Sequence, residues 1–387
     1  MELQAQPQPN TFSKQRRPFN HPISAKKPNP TFNPIPTSHK KPADLTYDIS
    51  KILDPATITA INNAGKIVFH CVGDTGGVNG TATQDELAVQ MEAQITSAGT
   101  DSPPAFLFHL GDVVYFNGEV ANYQNQFYEP YQYYPAPIFA IAGNHDGDHI
   151  KSETSLEGFF ENFCSAVRAP TNQSPYRYTV DQPWPYWTLE TPFATIIGLY
   201  SNIDGFLDKK NTSSTPQYDW FVSQLKAADP GKCLILAVHH PPYSLDTVHG
   251  GYQDILDAID QASAASGRTP NAVFTGHVHN YQRFTRTVNA KQYPYIIAGA
   301  GGYANIAKSM HQVQTQPNGD PLPFNFPTSI PGVVLAIYND SNPGFFRLTV
   351  DGTYLKGEYF INSFDNTPPP AAPFDTFTLN WQTQQLS

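Results

Sequence analysis

Residues 108–119 read FHLGDVVYFNGE. An apolar run closed by Gly111 and Asp112 is the sequence of a buried strand that stops at a polar site, because glycine lets the backbone turn sharply and approach a ligand closely. Three residues beyond the aspartate stands Tyr115, a residue whose large ring usually packs in a core. Its position beside a strand-end carboxylate needs a reason.

The same punctuation recurs along the chain. Apolar runs at KIVFHCVGD (66–74), AFLFHLGD (105–112), PIFAIAGNHD (137–146), ATIIGLYSN (194–202), CLILAVHH (233–240), AVFTGHVH (272–279) and YIIAGAGG (295–302) alternate with amphipathic stretches. That alternation predicts an α/β domain. The clearest helix spans 84–98, with a capping-box pattern at Thr83 and Glu86, apolar Leu87, Met91 and Ile95, and Gly99 after it. Weaker helices are predicted over 218–228 and 254–264, and FFRLTVDGTYLKGEYFI (345–361) reads as a hairpin turning at Asp351-Gly352.

In open α/β sheets, ligands bind beyond the carboxyl ends of the strands. Five of the runs end in Gly73-Asp74, Gly111-Asp112, Gly143-Asn144-His145-Asp146, His239-His240 and Gly276-His277-Val278-His279. Each ending alone is commonplace as a turn or a cap. Five in order, all offering carboxylate, amide or imidazole, point to one metal site.

The series GD…GDxxY…GNHD…H…GHxH resembles the calcineurin-like metallophosphoesterase family, and more narrowly its purple acid phosphatase branch, over residues 66–302. The resemblance implies an α/β fold, a four-layer α/β/β/α sandwich with two mixed β-sheets. It implies two metal ions, one held by Asp74, Asp112, Tyr115 and His279 and the other by Asp112, Asn144, His239 and His277. Asp112 would bridge them. A metal-bound hydroxide would then attack phosphorus in line in a phosphate monoester. A phosphodiesterase or nucleotidase of the same fold is the alternative.

Tyr115 now acquires a reason. The broader family begins with Asp-x-His, but this chain has Asp74-Thr75-Gly76 and so lacks that histidine. Tyr115 falls where the purple branch supplies a replacement ligand. A phenol with a pKa of about 10 needs a strongly charged ion to deprotonate it. Fe(III) is therefore expected at the Tyr115 site, and divalent Fe, Zn or Mn at the Asn144 site, where the donors are mostly neutral.

His145 stands where the family places a catalytic histidine, and Asp146 beside it reads either as its orienting partner or as a turn carboxylate. His249, in HHPPYSLDTVHGG (239–251), reads either as a second substrate-facing histidine or as an exposed loop residue. Tyr243, Tyr281 and Arg283 are candidate pocket residues, with Arg283 the nearby cation able to grip phosphate. His240 reads as packing or as support behind the ligands.

Composition bounds the rest. Residues 1–43 hold nine of the 36 prolines, and seven Lys/Arg against Glu2 give this stretch +6 within a chain of net charge −10. It reads as a disordered arm; 44–365 reads as the catalytic domain and 366–387 as a loose tail. The remainder carries −16, which disfavours nucleic acid as the main partner. Neither a membrane-spanning run nor a secretory signal is visible, and Cys71 and Cys233 lie in apolar runs as buried thiols would, so a cytoplasmic setting is favoured. A non-catalytic interaction protein recruiting partners through PNPTFNPIP (28–36) would not need the full set of ligands.

Overall fold

All seven apolar runs form strands, and the reason is visible in what their two faces touch. The computed structural model describes residues 19–24, 35–97, 102–148, 155–171, 174, 177–202, 207–208, 213–365 and 367–387. Lys66–Val72, Leu107–His109 and Ile138–Ala140 lie parallel at one edge of a seven-stranded sheet. Gly344–Asp351, Tyr354–Ile361, Asp375–Asn380 and Gln385–Leu386 continue that sheet as antiparallel strands.

The second sheet has nine strands, with Ala194–Leu199, Cys233–Val238, Ala272–Thr275 and Lys291–Ala298 parallel at its centre. Phe69, Cys71, Phe108 and Leu110 of the first sheet meet Ile196, Ile235, Ala237 and Phe274 of the second. The intervening residues Leu234, Leu236, Val238 and Val273 point the other way, into a cluster with Phe221, Leu225, Ile255 and Ile259 of two helices. Period-two alternation thus sends one set of side chains between the sheets and the other under the helices, which is why these strands read as unbroken apolar runs. The helix Pro55–Ala64 packs on the first sheet, giving the layered α/β/β/α arrangement.

Register brings the strand ends level. Val72 pairs with His109 and His109 with Ala140, while Ala237 pairs with Phe274. The loops after these strands therefore open on the same side of the molecule.

The helices differ slightly from expectation. The first runs from Ala82 to Thr96, and its capping position is Thr81, whose Oγ1 donates to Asp85 Oδ2 at 2.9 Å. Thr83, predicted to cap, is buried, because the helix begins one residue before it. Gly99 lies outside the described residues. Pro216–Ala227 starts with the Thr215 hydroxyl accepting from the Tyr218 N–H, and Gln253–Ser266 stops at Gly267 with φ 71°. The 345–361 hairpin forms, its turn held by Asp351 Oδ1 accepting from the N–H groups of Thr353 and Tyr354.

Two corrections concern the chain ends. The expected loose tail contains Asp375–Asn380, which pairs along Tyr354–Tyr359 and buries Phe377 and Leu379. Its alternation Asp-Thr-Phe-Thr-Leu-Asn is a strand signal that the preceding proline-rich stretch obscures. In the proline-rich arm, Ile23–Ser24 pairs with Gly251–Tyr252, and His39 stacks on Phe160 with ring centroids 3.7 Å apart. Packed structure therefore extends beyond 44–365 on both sides, while residues 1–18 and 25–34 lie outside the described residues. Cys71 and Cys233 are buried free thiols. No helix among the described residues is long and apolar enough to cross a membrane.

Candidate metal centre

The five strand ends converge. Asp74, Asp112 and His277 each leave their strand with φ between 54° and 67°, a left-handed turn that L residues adopt at a cost and that aims their side chains inward. Gly143 permits close packing here, since a Cβ on it would overlap Asp112 Oδ1.

Around Tyr115 Oη lie Asp74 Oδ1 at 3.3 Å, Asp112 Oδ2 at 3.1 Å and His279 Nε2 at 3.2 Å. Around Asn144 Oδ1 lie His277 Nδ1 at 2.8 Å and His239 Nε2 at 3.2 Å. Asp112 Oδ2 is also 3.2 Å from His239 Nε2, so this one carboxylate touches both groups. All seven residues expected to hold metal are thus brought together, and Asp112, His239 and His277 offer donor atoms within 4.8 Å of one another.

The donor chemistry fits cations. Two carboxylate oxygens share the one hydroxyl proton of Tyr115, so unless Asp74 or Asp112 is itself protonated a lone pair is left facing the phenol oxygen. His239 Nδ1 lies 2.8 Å from the Leu110 carbonyl and must carry a proton to bond it, which turns Nε2 toward Asn144 Oδ1 and Asp112 Oδ2. Unless His239 is charged, lone pairs face lone pairs in a buried space.

Electrostatics in the ion-free protein show the same tension. Burial pulls the His239 imidazole down, but Asp112 and Asp74 outweigh it and push the group up to about 9. Burial raises Asp74 well above the carboxylate range, with Asp112 adding to it. Burial, then Asp112 and Asp74, raise the Tyr115 phenol well above its ordinary value. Without a cation the phenol stays protonated and His239 carries the compensating charge.

Tyr115 also occupies space that a side chain at residue 76 would need. A Cβ on Gly76 would lie 2.8 Å from Tyr115 Cδ2 and 2.7 Å from Gln126 Oε1. Gln126 clamps the tyrosine backbone, accepting from its N–H at 2.9 Å and donating to its carbonyl at 2.7 Å. Tyr303 stacks on the ring at 4.1 Å between centroids.

His145 reaches the same place. Its N–H donates to Asp112 Oδ1 at 2.8 Å, and its Nδ1 lies 2.6 Å from the Phe116 carbonyl, which fixes the proton on Nδ1. Its side chain is 29% exposed. Asp146 has a different task from orienting His145. Its carboxylate accepts from the N–H groups of Val113, Val114 and Gly143, tying the Asp112 loop to the Asn144 loop. Burial, with Asp112 next, pushes Asp146 up to about 6.

His249 is half-buried, with its ring 4.3 Å from that of His277. Three other candidates lie elsewhere. Arg283 is bound by both oxygens of Asp375, at 2.8 and 3.0 Å, and Tyr281 donates to the same carboxylate. Tyr243 packs in the cluster beneath the second sheet. Proximity in sequence to the GHVH loop misleads for Tyr281 and Arg283, because the strand Tyr281–Val288 carries them away from it.

Sequence reasoning missed Tyr252, Tyr303 and His311. Tyr252 Oη lies 2.7 Å from His277 Nε2, and His311 stacks on His279 at 4.2 Å between centroids while its Nδ1 accepts the His279 N–H. Only Tyr252 carried a signal, three residues after His249. His240, by contrast, packs as expected, buried with Nδ1 2.7 Å from Ser201 Oγ.

Known proteins resemble this chain in sequence and in fold. The model of the calcineurin-like phosphoesterase family matches residues 67–281. Purple acid phosphatase 1 of Ipomoea batatas is 28% identical over 271 residues, covering 64% of this chain and 52% of that protein. Purple acid phosphatase 15 of Arabidopsis thaliana is 27% identical over 205 residues, covering 51% and 35%. The matched parts thus span between a third and about half of these relatives. The solved purple acid phosphatase PPD1 from yellow lupin (Lupinus luteus) seeds shares the fold, with a TM-score of 0.54 at 17% identity over 81% of this chain and 54% of that one. The chain belongs to the calcineurin-like phosphoesterase family, and within it is similar to the purple acid phosphatases.

Proposed function

We propose that the chain is a two-metal hydrolase of phosphate monoesters. The observation that carries this reading is Asp112 Oδ2, which lies 3.1 Å from Tyr115 Oη and 3.2 Å from His239 Nε2 and so joins two donor groups of different charge. Asp74, Asp112, Tyr115 and His279 would hold one ion, and Asp112, Asn144, His239 and His277 the other. Two such ions supply Lewis-acid charge for the phosphoryl oxygens and activate water for the displacement.

The two sites differ in preference. Three groups able to carry negative charge suit Fe(III) at the Tyr115 site, whereas an amide and two imidazoles suit divalent Fe, Zn or Mn. A relative named Fe(3+)-Zn(2+) purple acid phosphatase 12, 25% identical over 158 residues, supports such a mixed pair. His145 hands a proton to the leaving oxygen through Nε2, its Nδ1 being engaged with the Phe116 carbonyl. His249, whose ring lies 4.3 Å from that of His277, would contact the phosphate near the Asn144 site.

Hydrolysis of p-nitrophenyl phosphate by the metal-reconstituted chain tests this. Asn144→Ala should lower the rate by about 100-fold, the scale of a displaced metal. Faster turnover of bis(p-nitrophenyl) phosphate than of the monoester would overturn the substrate class.

A further inference from the structure

The outward nitrogens of the three proposed metal-binding histidines are treated differently. His239 Nδ1 is held by the Leu110 carbonyl, and His279 Nδ1 has no hydrogen-bond partner among the described residues. Among the described residues, only His277 Nε2 of the three is held by a side chain, Tyr252 Oη at 2.7 Å. Were Nδ1, which faces Asn144 Oδ1, to hold an ion, the ring proton would sit on Nε2 and donate to the tyrosine oxygen, fixing both the tautomer and the ring angle.

Tyr252 is itself held from outside the family match, which begins at residue 67. The two-residue strand Gly251–Tyr252 pairs in parallel with Ile23–Ser24. The Pro22 carbonyl accepts from both Ser244 N–H at 2.8 Å and Gly251 N–H at 3.0 Å. Ile23 and Tyr252 share one apolar cluster. Asn20 anchors the segment further, donating to Gln314 Oε1 at 3.2 Å and accepting from the Ser329 N–H at 3.0 Å.

We infer that Tyr252 is a positioning residue for His277, and that residues 19–24 form a strap holding Tyr252 in place. The N-terminal segment thereby acts on the Asn144 site through one tyrosine, at a distance from the Tyr115 site. This inference rests on the two-metal reading.

The test is Zn(II) binding to the full-length, iron-loaded chain in graded chelator, followed by metal analysis and by the visible spectrum. Tyr252→Phe should weaken Zn(II) retention by about 10- to 100-fold, as loss of a hydrogen bond behind a metal ligand does, and leave the iron content and its spectrum unchanged. A merely structural defect would release both metals together. Ile23→Asp should reproduce the selective loss, and the double variant should be no worse than Tyr252→Phe alone, because both act through one contact. Wild-type Zn(II) retention in Tyr252→Phe would overturn the role of the tyrosine. Fully additive effects in a folded double variant would overturn the strap. Should Ile23→Asp not fold, Tyr252→Phe carries the test. Wild-type protein that holds only one ion would instead remove the two-metal reading itself.

Discussion

Tyr115 occupies the space that a side chain on Gly76 would need, with its Cδ2 2.8 Å from where that Cβ would stand. Gly76→Ala should therefore destabilise the ion-free protein by about 1–3 kcal/mol, the usual cost of overpacking. Tyr115→Ala should relieve only part of it, since that Cβ would still lie 2.7 Å from Gln126 Oε1 and 2.8 Å from the Val113 carbonyl, so the two changes should be partly non-additive in urea unfolding; a neutral Gly76→Ala would contradict this.

His145 lies beside Asp112 but belongs to neither donor group. His145→Ala should lower kcat by about 100- to 10,000-fold, with the metal content unchanged and KM altered little. Loss of metal from this variant would show that it supports the site rather than transferring a proton.

Asp146 gives the ion-free protein a pH signature. Its carboxyl, pushed up to about 6 by burial and by Asp112, keeps in the fold a proton that the unfolded chain releases near pH 4. Its contribution is full below pH 4 and is lost as pH rises through about 6. Unfolding midpoints of the ion-free protein should fall across that interval, and less steeply in Asp146→Asn. An equal slope in the variant would assign the effect to other groups, such as the raised Asp74.

Phe377 tests the corrected C-terminus. Its ring is buried and lies against Gly357, where a Cβ would overlap it. Phe377→Ala should cost about 3–5 kcal/mol in denaturant unfolding, whereas a loose tail would lose nothing measurable.

What the sequence made legible follows from range. The strands and the seven donor residues announce themselves locally, as apolar runs ending in glycine and a ligand type. Asp146 was legible as a neighbour of His145 but not in its task, because its partners Val113 and Val114 come from another loop. Arg283 read as a phosphate clamp because its partner Asp375 is 92 residues away. His311 and Tyr303 carry no motif; only the packing of the 299–311 segment over His279 and Tyr115 reveals them. The strap at 19–24 was hidden by the prolines around it.

Tyr115 is proposed to bind iron as a tyrosinate. In the ion-free protein, burial and the two aspartates hold the phenol protonated well beyond its ordinary range. Only a strongly charged ion should ionise it. The decisive measurement is the visible spectrum of purified protein, paired with metal analysis, for wild type and Tyr115→Phe. A tyrosinate-to-iron charge-transfer band that vanishes in Tyr115→Phe is predicted; a colourless, iron-free protein with full hydrolytic activity would contradict it.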